Sequence, residues 1–238
     1  MKRINKVLGV IAVLGILVGC LFGSIEYHAF NKNYYEMKYT ELNTAEHIGM
    51  SNEALFDATF TLLDYLKDER DDILCVQEVK GKLREIYDER ETLHMVDVKD
   101  LYINVKNVCF TIVGVGIVAL LFMIYFVKSN KYDLHEMLID LKDGFRQVVL
   151  SFIIVISGLL FYALVDFNRF WTMFHQIFFD NDLWLLDPRV SIMINMFPEE
   201  FWFGMVIRIT LTFIISFCGL SYLFYWFTNK KLVSIKEK

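Results

Sequence analysis

Two histidines stand inside the densest polar and aromatic motifs of the chain. His94 lies in E-T-L-H-M-V-D-V-K, from Glu91 to Lys99, and His175 lies in F-W-T-M-F-H-Q-I-F-F-D-N-D-L-W-L-L-D-P, from Phe170 to Pro188. Imidazole is the side chain that most readily moves protons near neutral pH. On a helix, Glu91 and Asp97 lie three residues to either side of His94 and share its face, so either carboxylate can orient the ring and raise its basicity. The bland alternative is a surface ion pair of little energetic weight. Around His175 the neighbours are Trp171, Phe174, Phe178, Phe179 and Trp184, with Asp180, Asp182 and Asp187 following. That surrounding fits an acyl-chain pocket, or a ring simply satisfied in an interfacial aromatic belt.

The elements that must position these rings are membrane helices. Of the 238 residues, 55% are hydrophobic, 22% are charged and two are proline. Mean hydropathy is +0.40. Apolar blocks long enough to cross a bilayer, at roughly twenty residues each, alternate with polar ones. The reading is an all-α membrane protein with four transmembrane helices, a small extracytoplasmic helical cap and an aromatic outer loop. Its segments are 1–25 (cytoplasmic stub and first span), 26–105 (cap), 106–127 (second span), 128–146 (cytoplasmic amphipathic loop), 147–167 (third span), 168–202 (aromatic outer loop) and 203–238 (fourth span and tail). Lys2, Arg3 and Lys6, then Lys128, Lys131, Lys142 and Arg146, then Lys230, Lys231, Lys236 and Lys238 mark the cytoplasmic side. Segment 26–105 carries eighteen Asp/Glu against nine Lys/Arg and belongs outside. Both histidine motifs thus fall on the outer face of a plasma membrane, with both termini inside. The net charge of -5 conceals an acidic exterior and a basic inner rim.

The N-terminus resembles a cleaved signal, and Leu17-Val18-Gly19-Cys20 resembles a lipobox. The apolar run continues to Ile25, however, and removing it would leave an odd number of spans, so it is read as an uncleaved helix. Cys20, Cys109 and Cys218 lie in spans and Cys75 is alone outside, which rules out an outer disulfide within the chain and a thiolate metal cage. In the cap, Ser51 as N-cap, Glu53 in the first turn and Leu55, Ala58, Thr59, Leu62, Leu63 and Leu66 predict a helix that ends in the charged run Lys67 to Asp72. Val79 to Arg90 is read as another amphipathic turn or two. On the inner side, Leu134, Met137, Leu138, Leu141 and Phe145 form one apolar face of an interfacial helix, with Asp140 among the polar positions. His135 is assigned no chemistry, and His28 and His47 lack comparable surroundings.

Apart from charges at span ends, Arg208 is the one charge inside a span. It holds an anionic headgroup, a carbonyl oxygen or Asp166, or it snorkels to the outer interface. A phosphate-binding glycine loop, H-E-x-x-H and G-x-S-x-G are absent from the sequence, which argues against ATP use, a zincin site and a serine elbow. Three classes remain: an acid/base enzyme acting on a membrane substrate, a metal-dependent membrane hydrolase using His94, Asp97, His175 and an outer aspartate, and a non-enzymatic lipid- or peptide-binding membrane protein. A transporter is disfavoured, because no internal repeat is evident.

The motifs H-M-x-D-V-K at His94 to Lys99, F-H-x-x-F-F at Phe174 to Phe179 and W-L-L-D-P at Trp184 to Pro188, with L-L-D-Y-L at Leu62 to Leu66, occur in order among four spans. The chain resembles the lipoprotein intramolecular transacylases of low-GC Gram-positive bacteria. The resemblance implies an acyltransferase whose substrate is a diacylated lipoprotein held among membrane lipids. The sn-2 acyl chain of its S-diacylglyceryl-cysteine moves to that cysteine's own α-amino group, giving the N-acyl, S-monoacylglyceryl (lyso) form. It also implies that His94 and His175 are the required residues. Glu91, Asp97, Asp187 and Arg208 are expected to orient or support them, and His94 is the expected base because two carboxylates flank it. No cofactor, metal, nucleotide or nucleic acid is expected, since ester-to-amide transfer is downhill and the substrate brings its own nucleophile.

Overall fold

Long apolar runs that meet no proline become helices long enough to cross a bilayer. The computed structural model describes residues 2–236, with side chains described over 4–230. The basic side chains of Lys2, Arg3, Lys231, Lys236 and Lys238 therefore lie outside the described side chains. Among the described residues, four helices have the length and hydropathy to span: Ile4–Ala29, Glu89–Lys128, Leu134–Val165 and Glu199–Lys230. In chain order the elements are α1 (Lys2–Ala29), α2 (Lys32–Glu41), α3 (Thr44–Ile48), α4 (Asn52–Leu66), β1 (Val76–Val79), β2 (Lys82–Glu85), α5 (Glu89–Lys128), α6 (Leu134–Val165), α7 (Phe167–Phe178), α8 (Ile192–Met196) and α9 (Glu199–Lys236).

The chain divides into two compact units. The first gathers Met1–Glu26, Lys106–Tyr162 and Arg208–Lys238. Within it α1 comes unusually close to its neighbours. A Cβ on Gly116 of α5 would stand 2.9 Å from the Cα of Gly15, and one on Gly144 of α6 would stand 2.9 Å from the backbone nitrogen of Val10. Lipid supplies no hydrophobic drive between helices, so small residues that let backbones approach are what hold such a bundle. Among the described residues, apolar clusters pack around Met123, Leu138 and Leu141 and around Leu17, Phe145 and Phe213. Phe145 stacks on Phe217 with centroids 5.7 Å apart.

The expected inner amphipathic helix is the beginning of α6 itself, without a break before the span. Its apolar face is as the pattern predicts, with Met137, Leu138, Leu141 and Phe145 buried. Asp140, expected on the wet side, is buried as well. It accepts a hydrogen bond from the Tyr132 hydroxyl, which supplies the partner a buried carboxylate requires.

The second unit comprises Tyr27–Val105 and Ala163–Ile207. Ser51 caps α4 by accepting from the Ala54 N–H at 3.1 Å. Leu55, Ala58, Thr59, Leu62 and Leu63 are buried; Leu66 is half-buried. The core is aromatic: the ring of Tyr35 lies 5.2 Å from that of Phe201, and the Tyr34 hydroxyl donates to the Phe201 carbonyl at 2.6 Å. Part of the stretch read as helical turns is instead a β-hairpin. β1 pairs antiparallel with β2, Val79 opposite Lys82, and the two linking residues, Lys80 and Gly81, both have positive φ. That is the requirement of a type I′ turn, which glycine meets without strain and which outweighs weak helical periodicity.

α5 is 40 residues long, about 60 Å at 1.5 Å per residue, twice a hydrocarbon core of about 30 Å. Its charges lie between Glu89 and Lys106 and at its last residue, Lys128, with none from 107 to 127. The later half is the spanning part, and His94 stands on the polar part.

Candidate active site

The N-terminal turn of α5 is built by a reciprocal capping box. The Glu91 N–H donates to the Asp88 carboxylate at 2.8 Å, and the Asp88 N–H donates to Glu91 Oε2 at 2.7 Å. Glu91 Oε1 accepts from the Ser191 hydroxyl at 2.5 Å and from the Met193 N–H at 3.1 Å. Ser191 is itself the N-cap of α8. One carboxylate, only 1% exposed, thus ties the starts of two helices together. Burial pushes its pKa up, and the bonds from Ser191, Asp88 and Met193 hold it down against that.

One turn further along α5 is His94. Its ring centroid lies 5.9 Å from that of His175 and 5.3 Å from Phe179. Both histidines are buried, at 6% and 8% exposure. The Nδ1 of His94 is buried and has no hydrogen-bond partner among the described residues. His175, on α7, has its Nδ1 2.8 Å from the Trp171 carbonyl. A carbonyl only accepts, so Nδ1 carries the proton and Nε2 of the neutral ring presents its lone pair. Around it stand Trp184, stacked at 5.0 Å, Trp171 at 5.1 Å, Phe174 at 5.6 Å and Phe179 at 5.7 Å. Phe178 reaches the cluster through Phe174 at 4.9 Å and is half exposed.

Burial lowers the pKa of both rings. For His94 it falls to about 4, with the neighbouring His175 and Arg90 adding to the desolvation and Asp97 opposing it. For His175 burial also dominates, opposed by the bond to Trp171. At neutral pH both rings are uncharged, which suits a proton acceptor and a neutral hydrogen-bond donor.

The expected supporting residues are placed differently from the helical-face argument. Glu91 and Asp97 share the face of His94, yet the hydrogen bonds of Glu91 go to Ser191, Met193 and Asp88, and Asp97 accepts from the Asn181 side chain at 2.8 Å. Capping groups and a loop amide outcompete an imidazole that desolvation keeps neutral. Asp187 is paired through both oxygens with Arg189, at 2.5 Å for the shortest contact, and that bonding lowers its pKa. Asp166 caps α7 and pairs with Arg169 at 3.1 Å. Arg208 is exposed on α9. Among the described residues, no group of three or more His, Cys, Asp or Glu side chains gathers as a metal site would require.

Ser191, Asn181 and Arg90 were not legible as site residues by type alone. Arg90 binds the carbonyl of Asp182 and lies 3.2 Å from its carboxylate. Two signals were present in the sequence. Asp88-x-x-Glu91 is a capping-box spacing that commits Glu91 to the helix start, and Asn181 two residues before Leu183 is an Asx-turn spacing.

Fold and site together define a polytopic membrane protein with a buried histidine pair among aromatic rings. The family model described as lipoprotein intramolecular transacylase Lit matches residues 10–202. The chain belongs to that family and is an acyltransferase, a lipoprotein intramolecular transacylase. No curated protein sequence matches it. Among solved structures, it is similar to the membrane-integral lipoprotein intramolecular transacylase Lit from Bacillus cereus, solved in meso, with TM-score 0.71 and 22% identity over 97% of each chain. Structures of that Bacillus cereus protein with a histidine-to-alanine and a histidine-to-arginine substitution are similar too. The former gives TM-score 0.71 and 18% identity over 96% of each chain. The latter gives TM-score 0.72 and 18% identity, covering 98% of this chain and 95% of that one. These likenesses speak for a shared fold.

Proposed function

We propose that the chain transfers the sn-2 acyl chain of an S-diacylglyceryl-cysteine lipoprotein to the α-amino group of the same cysteine, using His175 and His94 as its acid/base pair. The observation that carries this reading is the pair itself: two buried, uncharged imidazoles 5.9 Å apart in a lining of Phe and Trp suited to acyl chains. The substrate's α-amino group, with a pKa near 8, releases one proton to water to become the free amine, and the amine loses a second as it attacks. The attacking nitrogen forms a bond to the ester carbonyl carbon, the bond from that carbon to the glyceryl oxygen breaks, and that oxygen gains a proton. His175 Nε2, its tautomer set by the Trp171 carbonyl, takes the amine proton and returns it to the leaving oxygen. This assigns the base to His175 rather than His94, because the carboxylates that favoured His94 are bonded elsewhere. His94 donates an N–H to the developing oxyanion, a role an uncharged imidazole performs. Having amine and ester in one molecule supplies most of the proximity.

The lysine and arginine distribution supports placing this site at the outer leaflet of a plasma membrane, with both termini inside. The metal-hydrolase alternative lacks a converging ligand set among the described residues. The test is mass spectrometry of a lipoprotein N-terminus made in a host lacking N-acylation. Co-expression of this chain is expected to yield the lyso form, and His175→Ala or His94→Ala to leave the diacyl form. Lyso product with both rings removed would overturn the proposal.

A further inference from the structure

Asp97 was expected to act on His94, and the structure gives it a different partner. Its Oδ2 accepts from Asn181 Nδ2 at 2.8 Å. Asn181 is a node: its Oδ1 accepts the Leu183 N–H at 3.0 Å, and its backbone carbonyl accepts Trp184 Nε1–H at 2.9 Å. The indole so held stacks on the His175 ring, centroids 5.0 Å apart and planes 29° from parallel. The neighbouring Asp182 is held by Arg90, through its carbonyl and its carboxylate. Arg90 and Asp97 lie four residues before and three after His94, on its helical face. The segment from Asn181 to Trp184 is therefore fastened to α5 on both sides of His94.

Asn181 and Asp182 are exposed. Exposed polar links of this kind add little to folding stability, so their consequence lies in placement. We propose that Asp97 and Asn181 form a positioning pair that fixes the Trp184 indole against His175 and so sets the orientation of that ring toward the substrate. This rests on the reading of His175 as the base. Asp97 acts here by accepting a hydrogen bond, not by its charge. That separates two roles which removal of Asp97 alone would confound.

The amide oxygen of Asp97→Asn accepts the same bond, so D97N is expected to keep kcat within about twofold of the parent. Asp97→Ala cuts the link alone and Asn181→Ala cuts it together with the Leu183 bond, and each is expected to lower kcat at least about tenfold with KM little changed. Because N181A already contains the loss made by D97A, the double variant should lose no more than N181A. N181A leaves α5 untouched and alters an exposed residue, so it remains informative where D97A fails to fold. The readout is the rate of lyso-form production by purified enzyme in detergent or vesicles with a diacylated lipopeptide. A D97N loss equal to that of D97A would assign Asp97 an electrostatic role and overturn the proposal, as would full activity of N181A. Failure of the base assignment reads out separately, as activity surviving in H175A whatever the pattern at Asp97 and Asn181.

Discussion

The spanning unit and the site-bearing unit are held together by opposite devices. In the first, backbones meet where glycine allows it, as at Gly15 and Gly116, and clusters of methionine, leucine and phenylalanine pack beside them. In the second, a buried hydrogen-bond network fixes the geometry: one Glu91 carboxylate gathers donors from Asp88, Ser191 and Met193. A spanning bundle tolerates gentle sliding along its helices, whereas acid/base chemistry requires rings set within fractions of an ångström. Added bulk should therefore injure the first unit, and lost hydrogen bonds the second.

The largest effect tests whether the polar unit holds the chemistry. His175→Ala removes the proton shuttle and is expected to lower turnover by about 10² to 10⁴, read as lyso-form production by mass spectrometry, with a lower thermal midpoint as well because the ring is buried among four aromatic side chains. Next comes the carboxylate. Glu91→Ala strands three donors in a buried place, which costs about 1–3 kcal/mol for each unsatisfied group. Glu91→Gln turns one acceptor into a donor facing a donor and is expected to lose stability as well. Thermal unfolding in detergent checks both; a midpoint unchanged by E91Q would break the comparison.

The complementary test adds one methyl group to the other unit. Gly116→Ala brings a Cβ to 2.9 Å from the Gly15 Cα, backbone against side chain, and overpacking of this kind costs about 1–3 kcal/mol. Gly158→Ala, where a Cβ meets nothing within 4 Å, is the control and should be neutral or slightly stabilising. Equal effects at the two positions would show that close approach is not what holds the bundle.

How much of this was readable beforehand follows the same division. The spans were legible because twenty apolar residues without proline admit one structure, and the α4 cap because Ser51 and the leucine spacing agree. His94 and His175 stood out by residue type. What escaped was the bonding around them. Periodicity placed Glu91 and Asp97 on the face of His94, but a shared face does not choose between a neighbouring ring, a helix start and a loop amide that arrives from 84 residues away. The hairpin at Val76 to Glu85 was missed because its decisive signal is the two-residue Lys80-Gly81 turn, not a periodicity.

The subtlest test of the comparison is the pH dependence of the polar unit. His94 has a folded pKa near 4, below the 6.5 of an ordinary imidazole. Between those values the unfolded chain binds more protons than the folded one, so the slope of stability against pH is positive there. Stability from this ring is thus complete above pH 6.5 and is lost as pH falls toward 4, at most about 1.4 kcal/mol per pH unit. His175, also lowered, adds in the same direction. Glu91, raised by burial, works oppositely: it takes up its proton in the folded state before it would when unfolded, and so partly offsets the loss in the acid range. Unfolding midpoints of the parent and of His94→Gln from pH 7.5 to 5 should show the parent declining more steeply. The substrate amine gives the transacylase rate one acid limb near pH 8, and the second break, from protonation of the rings, should lie below pH 6.5 because the neutral rings persist there. A second break at or above 6.5 would mean that the pair is solvated in the working enzyme, and the contrast between the two units would then rest on packing alone.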